Sequence, residues 1–300
     1  MTPPLAEAVA RATGREVTGA QRVAGGSINE AYAIDLAGGG RAFVKTRPDA
    51  RPGEYATEAA GLRWLADAGA VEVPEVIAVA DDDGGPRFLA LGWLEEGSLG
   101  GAGAEALGHD LAALHAAGAA EFGAAPPGAP SYDGRVAPLR IGELELPNDP
   151  APDWPAFYAR DRLEPLADLA AGRGALSAQA RRDVARVCER IGDLAGPPEP
   201  PARLHGDLWG GNVFAGADGR ARLIDPAAYG GHREVDLAML RLFGSPGERV
   251  FAAYEEAAPL ADGHGDRVAL WQLFPLLVHA ALFGGAYGES AHRAARRYVG

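Results

Sequence analysis

Leu204 to Asn212 reads LHGDLWGGN, and Leu223 to Asp236 reads LIDPAAYGGHREVD. These segments set out, in chain order, Asp207, an asparagine five residues later at Asn212, and a second aspartate at Asp225. Phosphoryl transfer from ATP needs such a set: one carboxylate orients an attacking hydroxyl, while an amide oxygen and a second carboxylate hold Mg²⁺ against the phosphates. Gly206, Gly210 and Gly211 let the backbone turn sharply around Asp207. Val213-Phe214 and Arg222-Leu223-Ile224 read as short strands joined across Gly216-Ala217-Asp218-Gly219. That hairpin carries Asn212 and Asp225 to one end. A chance HGD tripeptide in an ordinary loop would not come with this company.

Lys45 is the only lysine of the chain, beside 27 arginines. A compact ammonium suits a phosphate contact as a point charge, which a longer planar guanidinium does not reproduce. Lys45 ends the apolar run Ala42-Phe43-Val44 after the turn Gly38-Gly39-Gly40, as a strand lysine of this chemistry should. Its partner is expected to be a helix glutamate. Gly53 to Ala68 is Ala-rich with Leu62 and Leu65 at helical spacing, so Glu58 is the candidate and Glu54, one turn earlier, the alternative. The phosphate-covering loop is expected at Ala24-Gly25-Gly26-Ser27-Ile28-Asn29, where Gly25 and Gly26, followed by Ser27, allow close backbone approach to phosphate. No Walker A sequence exists, which excludes a P-loop NTPase.

Three hundred residues, 47% of them hydrophobic, suffice for two lobes with a sizeable core. The net charge of −13 argues against nucleic acid as a partner. Cys188 is alone, so no intrachain disulfide can form, and a reducing cytoplasm is the expected compartment. The N-terminus lacks the marks of an export signal, and no segment approaches the roughly 18 apolar residues of a membrane span. Neither membrane nor nucleic acid is expected as a partner, and the chain is expected to be a monomer.

A short helix near Leu5 to Ala12 precedes expected strands at Val17 to Val23, Ala31 to Leu36 and Arg41 to Thr46. The helix of Glu58 follows, then strands at Glu75 to Ala80 and Arg87 to Leu91 around a turn-rich Asp81 to Pro86. Residues 1–92 thus read as an ATP-binding lobe with a five-stranded sheet and a helix. A linker at 93–97 leads to a mostly helical lobe at 98–300. Helices are expected at Ala104 to Gly118, Pro155 to Ala170, Ala178 to Leu194, Glu234 to Phe243, Glu248 to Ala257 and Asp266 to Phe283. The Pro- and Gly-rich stretch from Ala119 to Pro152 reads as irregular.

The chain resembles the fructosamine and ketosamine kinases of the protein-kinase-like superfamily. The resemblance rests on GGSINEAYAI at Gly25, FVKT at Phe43, EYATEAAGLRWL at Glu54, GWLEEG at Gly92, DWPAFYARDRL at Asp153, LHGDLWGGN at Leu204 and DPAAYGGHREVDLAML at Asp225. It implies an α+β, two-lobed protein-kinase-like fold, with an antiparallel five-stranded sheet in the first lobe. It makes Asp207 the general base, Asn212 and Asp225 the Mg²⁺ ligands, Lys45 the phosphate-binding lysine and Glu58 its partner. Gly92, Trp93 and Leu94 become the adenine-binding linker, and ATP and Mg²⁺ the cofactors. The implied reaction is phosphorylation of the sugar O3 hydroxyl of a ketosamine, either a small molecule or a glycated protein lysine, after which the unstable adduct releases the amine. Some eukaryotic members carry a redox-sensitive cysteine in the phosphate loop. Here Ser27 and Ile28 stand instead, so redox control through that loop is not expected.

Trp209 beside Asp207 is a candidate wall for the sugar, with core packing as the competing role. His232, after Gly230-Gly231, is a second substrate candidate, set against a surface or packed histidine. His205 is expected to brace the catalytic loop and Asp236 to hold that loop's backbone amides. His115 and His279 lie on apolar helices and read as core residues, and Trp154 and Tyr158 as packing. Aminoglycoside- or choline-type kinases would share every ATP-site residue, and Asp225-Pro226-Ala227, Gly231 to Glu234 and DWPAFY favour the ketosamine kinases over them. A non-catalytic ATP-binding module would be expected to lack one of Lys45, Asp207, Asn212 or Asp225, and all four are present.

Overall fold

A computed structural model describes residues 1–23, 29–81, 84–131 and 136–299. Helix α1 (Pro3–Thr13) leads into β1 (Val17–Val23), β2 (Glu30–Leu36), β3 (Arg41–Thr46), α2 (Glu54–Asp67), β4 (Val76–Ala80) and β5 (Phe88–Gly92). The strands form one antiparallel sheet in the order β1-β2-β3-β5-β4. Side chains alternate across it, as extended backbone requires. Phe88, Ala90, Val44 and Ile34 pack with Leu5 and Val9 of α1 on one face. Leu89 and Leu91 pack with Tyr55, Ala59 and Leu62 of α2 on the other. Because Val44 faces α1, the next residue, Lys45, faces α2.

The remaining elements are α3 (Gly101–Ala116), β6 (Leu139–Ile141), β7 (Leu144–Leu146), α4 (Trp154–Tyr158), a π turn at Ala159–Leu163, α5 (Glu164–Gly172), α6 (Ala178–Leu194), β8 (Ala202–Leu204), β9 (Val213–Ala215), β10 (Ala221–Leu223) and β11 (Tyr229–Gly231), followed by α7 (Glu234–Leu242), α8 (Glu248–Ala257), α9 (His264–Trp271), α10 (Leu273–Phe283) and α11 (Tyr287–Arg296). The two halves share apolar packing. Trp64 and Leu65 at the end of α2 join Leu111, Leu114, Leu208, Leu223 and Leu240 in one buried cluster. Gly61 lets α2 settle on Pro226 and Ala228, for a Cβ there would already touch both, at 3.5 and 3.4 Å. This contact seats the helix of Glu58 directly above the segment that carries Asp225.

Several expectations need correction. The stretch from Ala119 to Pro152 is not wholly irregular: β6 and β7 form a hairpin whose Leu139, Ile141, Leu144 and Leu146 are buried. The expected helix from Pro155 to Ala170 is interrupted by the π turn. The expected helix from Asp266 to Phe283 divides at Gln272. Pro275 has no N–H to offer the carbonyl of Trp271. That carbonyl instead accepts the Tyr158 hydroxyl at 2.9 Å. Helix α11 was not expected, since its buried face is only Gly288, Ala291, Ala294 and Ala295. None of the helices among the described residues is long and apolar enough to cross a membrane.

Candidate active site

Lys45 and Glu58 meet across the sheet and α2, with Nζ 2.5 Å from Oε2 of Glu58 and 2.9 Å from Oδ1 of Asp225. Desolvation works against the buried ammonium, but the two carboxylates outweigh it and push its pKa above the usual lysine value. Burial pushes Glu58 up to about 7 against the pull of Lys45. Glu54 is directed elsewhere, to Arg47 at 2.7 Å. Asp225 is held below the ordinary aspartate value by Lys45. The Asp225 side chain is 46% exposed, open to solvent.

Asp207 follows β8 in a tightly held loop. Burial, countered by a hydrogen bond from Asn212 and reinforced by Asp225 and Asp236, raises its carboxyl to about 7. The Asn212 amide donates to both the carbonyl oxygen of Asp207, at 2.8 Å, and its Oδ2, at 3.1 Å. Asp236 at the start of α7 accepts from the backbone N–H of His205 at 2.7 Å and of Gly206 at 2.9 Å. His205 reaches across to the carbonyl of Ile224 at 3.0 Å, tying the loop to the residue before Asp225. Gly206 is obligatory: its φ is 82° and an added Cβ would lie 1.9 Å from the carbonyl oxygen of Ala227. Hairpin β9–β10 pairs Val213 with Leu223, which sets Asn212 and Ile224 side by side. Asp225 itself has φ 53°, the one positive value on a non-glycine among the described residues.

The linker after β5 is stitched to this hairpin, Gly97 N–H donating to Ala215 and Ala217 N–H to Glu95. Gly92 N–H donates to Glu75 at 2.8 Å. The Trp93 ring lies 4.2 Å from the guanidinium of Arg41, and its buried Nε1 has no hydrogen-bond partner. Leu94, next in the linker, is half-buried. Gly25, Gly26 and Ser27 lie outside the described residues. Asn29, the last residue of the expected loop, accepts the Tyr55 hydroxyl of α2 at 3.0 Å.

Trp209 is 39% exposed beside Asp207, its indole folded over Gly211. His232 takes the packed role. It is buried between Trp271, stacked at 5.4 Å, and Trp154 at 5.9 Å, which corrects the expectation of a substrate contact. Burial lowers its pKa. Glu199, His232 and Glu234 lie close enough together to suggest a cation site. Both carboxylates are already engaged, Glu199 by Arg233 and Glu234 by Arg267 and Trp271. His115 is buried but not idle: its Nε2 lies 3.3 Å from Asp236 and its Nδ1 2.8 Å from the Tyr254 hydroxyl. His279 is half-buried in an aromatic cluster, a position its apolar helix did not foretell.

The fructosamine kinase family matches residues 1–299 of the chain. The chain belongs to this family. A probable ketoamine kinase of Enterococcus faecium is 34% identical over 89% of this chain and 90% of the relative. A chloroplastic protein-ribulosamine 3-kinase of Oryza sativa subsp. indica is 33% identical, over 92% of this family member and 77% of the rice protein. The crystal structure of a candidate fructosamine-3-kinase from Thermobifida fusca superposes with a TM-score of 0.89 at 44% identity, covering 100% and 99% of the two chains. An aminoglycoside phosphotransferase solved with AMP-PNP and hygromycin B has a TM-score of 0.64 at 17% identity, a likeness of fold alone. The fructosamine kinase chain thus shares its architecture with antibiotic kinases and its sequence with ketoamine kinases.

Proposed function

We propose that this protein is an ATP-dependent ketosamine kinase that phosphorylates the sugar 3-hydroxyl of amine-linked ketoses. The observation that carries the reading is the Asp207 carboxylate held by the Asn212 amide at 3.1 Å, two strands from an Asp225 that is paired with Lys45. The names of the full-length relatives supply the substrate class. The sugar oxygen attacks the terminal phosphorus of ATP, its proton passes to Asp207, and ADP leaves. Lys45, locked between Glu58 and Asp225, is positioned to neutralise phosphate oxygens.

Asn212 and Asp225 fit Mg²⁺. They offer hard oxygen donors, since the Asn212 amide nitrogen is turned to Asp207 and Asp225 remains solvent-open with only Oδ1 engaged. The left-handed backbone of Asp225 costs on the order of 1 kcal/mol, and such strain is retained where a side chain must point one way. The metal, when bound, supplies charge neutralisation on the transferring phosphate. Adenine is assigned to Gly92, Trp93 and Leu94, and the phosphates to Gly25, Gly26 and Ser27. Residues 1–92 and 98–300 would then be the two lobes, with 93–97 between them. Trp209 is assigned to the sugar's C–H face, where an exposed indole can cover carbon and donate its N–H. We further expect a cytoplasmic monomer, which light scattering of the purified chain checks. The activity itself is tested by ATP consumption on ribulose-lysine with aminoglycosides and choline as competing acceptors. Turnover confined to the latter two would overturn the reading.

A further inference from the structure

Among the described residues three large hydrophobic side chains are exposed, Val136, Trp209 and Phe283. Two of them flank one place. Gly210, next to Trp209, abuts the loop after α7, for a Cβ on Gly210 would lie 2.7 Å from the carbonyl oxygen of Gly244. Phe243 stands immediately before that loop, its ring 4.4 Å from His279. His279 in turn lies 5.6 Å from Phe283 and 5.0 Å from Tyr287. A string of rings therefore runs from Phe243, beside the backbone contact of Gly210 with Gly244, out to Phe283, which is 57% exposed. Rings grouped this close to the catalytic loop are suited to cover the apolar part of a ligand held there.

The chemistry of the cluster selects the ligand. His279 has Nδ1 2.8 Å from the carbonyl of Pro275, so Nδ1–H donates there and Nε2 keeps its lone pair. Burial lowers its pKa, which keeps the ring neutral near pH 7. Phe283 closes α10, whose last carbonyls give that end a partial negative charge. The nearby Arg241 guanidinium is turned away onto Phe251 at 3.6 Å. Aromatic faces, a neutral acceptor and a helix C-terminus together suit a cation that carries an alkyl chain.

Resting on the ketosamine kinase reading, we infer that Phe243, His279, Phe283 and Tyr287 form the amine-side subsite, which takes the protonated secondary amine of the ketosamine and the alkyl chain beyond it. The sugar then lies between Asp207 and Trp209, and its C1 substituent leaves along the string of rings. The test compares initial rates on ribulose-lysine and on the ribulose adduct of methylamine, for the wild-type chain, Phe283→Ala and Phe283→Tyr. Phe283→Ala should raise KM for the lysine adduct roughly 3- to 10-fold, with a smaller change for the methylamine adduct. Its KM for ATP should match the wild type, which reports an intact fold, and Phe283→Tyr should restore the lysine preference. Equal changes on both adducts, or none, would overturn the subsite while ketosamine kinase activity stands. If the wild-type chain phosphorylates neither adduct, the subsite and the underlying reading fall together.

Discussion

At the scale of single residues, Asp207 couples activity to stability. Its carboxyl is raised to about 7 by burial, so the folded chain favours the neutral form more than the unfolded chain does. Stability from this group is complete below the ordinary aspartate value and is lost as pH rises through about 7. Base catalysis runs the other way, needing the ionised form. We predict that kcat/KM falls as pH drops through about 7, and a flat profile from pH 5 to 8 would count against Asp207 as the base. Asp207→Asn should lower kcat by roughly 10²- to 10⁴-fold while keeping ATP binding, and should raise Tm at pH 8, where the charged carboxylate is most costly. Calorimetry with and without ATP checks both. Lys45 was legible because no other lysine competes with it. Glu58 was preferred over Glu54 from the sequence, and the structure pairs it with Lys45, while Glu54, one turn earlier on the same face, is taken by Arg47.

At the scale of elements, the catalytic loop hangs from α7 through Asp236, which three donors share: two backbone N–H groups and His115. Asp236→Ala would strand two buried N–H groups, costing about 2 to 5 kcal/mol and lowering kcat, whereas an unchanged Tm would contradict the anchoring role. Gly206→Ala should fare worse, combining a left-handed φ with a Cβ 1.9 Å from a carbonyl oxygen, and the expected outcome is little folded protein by circular dichroism. The sequence revealed the regular elements well where apolar period was strong. Strands β1 and β3 and helices α6 and α8 fall where alternation and helical spacing put them. The β6–β7 hairpin escaped although LRIGELEL alternates, because the proline and glycine around it dominated the reading. The break at Gln272 depends on Pro275 and on a carbonyl taken over by a distant Tyr158, which no local pattern reports. For His232 the packed role was weighed against the substrate role, but its place after two glycines in the chain says nothing of Trp154 and Trp271, which enclose it.

At the scale of the whole molecule, a net charge of −13 surrounds a site expected to take a cationic adduct. Such a field should steer lysine adducts toward the protein, so kcat/KM for them should fall as ionic strength rises, while an uncharged acceptor should show little change. Flat salt dependence for the lysine adduct would remove steering from the account. The two halves meet through α2, whose one end carries Glu58 and whose other joins the core beneath Asp225. This shared helix makes the position of Lys45 depend on the packing of both halves. The most direct test of the central claim is ATP-coupled phosphate transfer to ribulose-lysine, erythrulose-lysine and fructose-lysine, with Asp207→Asn as control. The account predicts turnover on at least one of the three that falls by roughly 10²- to 10⁴-fold in the variant. Bound ATP with no transfer to any of them, or transfer at close to the wild-type rate in the variant, would contradict it.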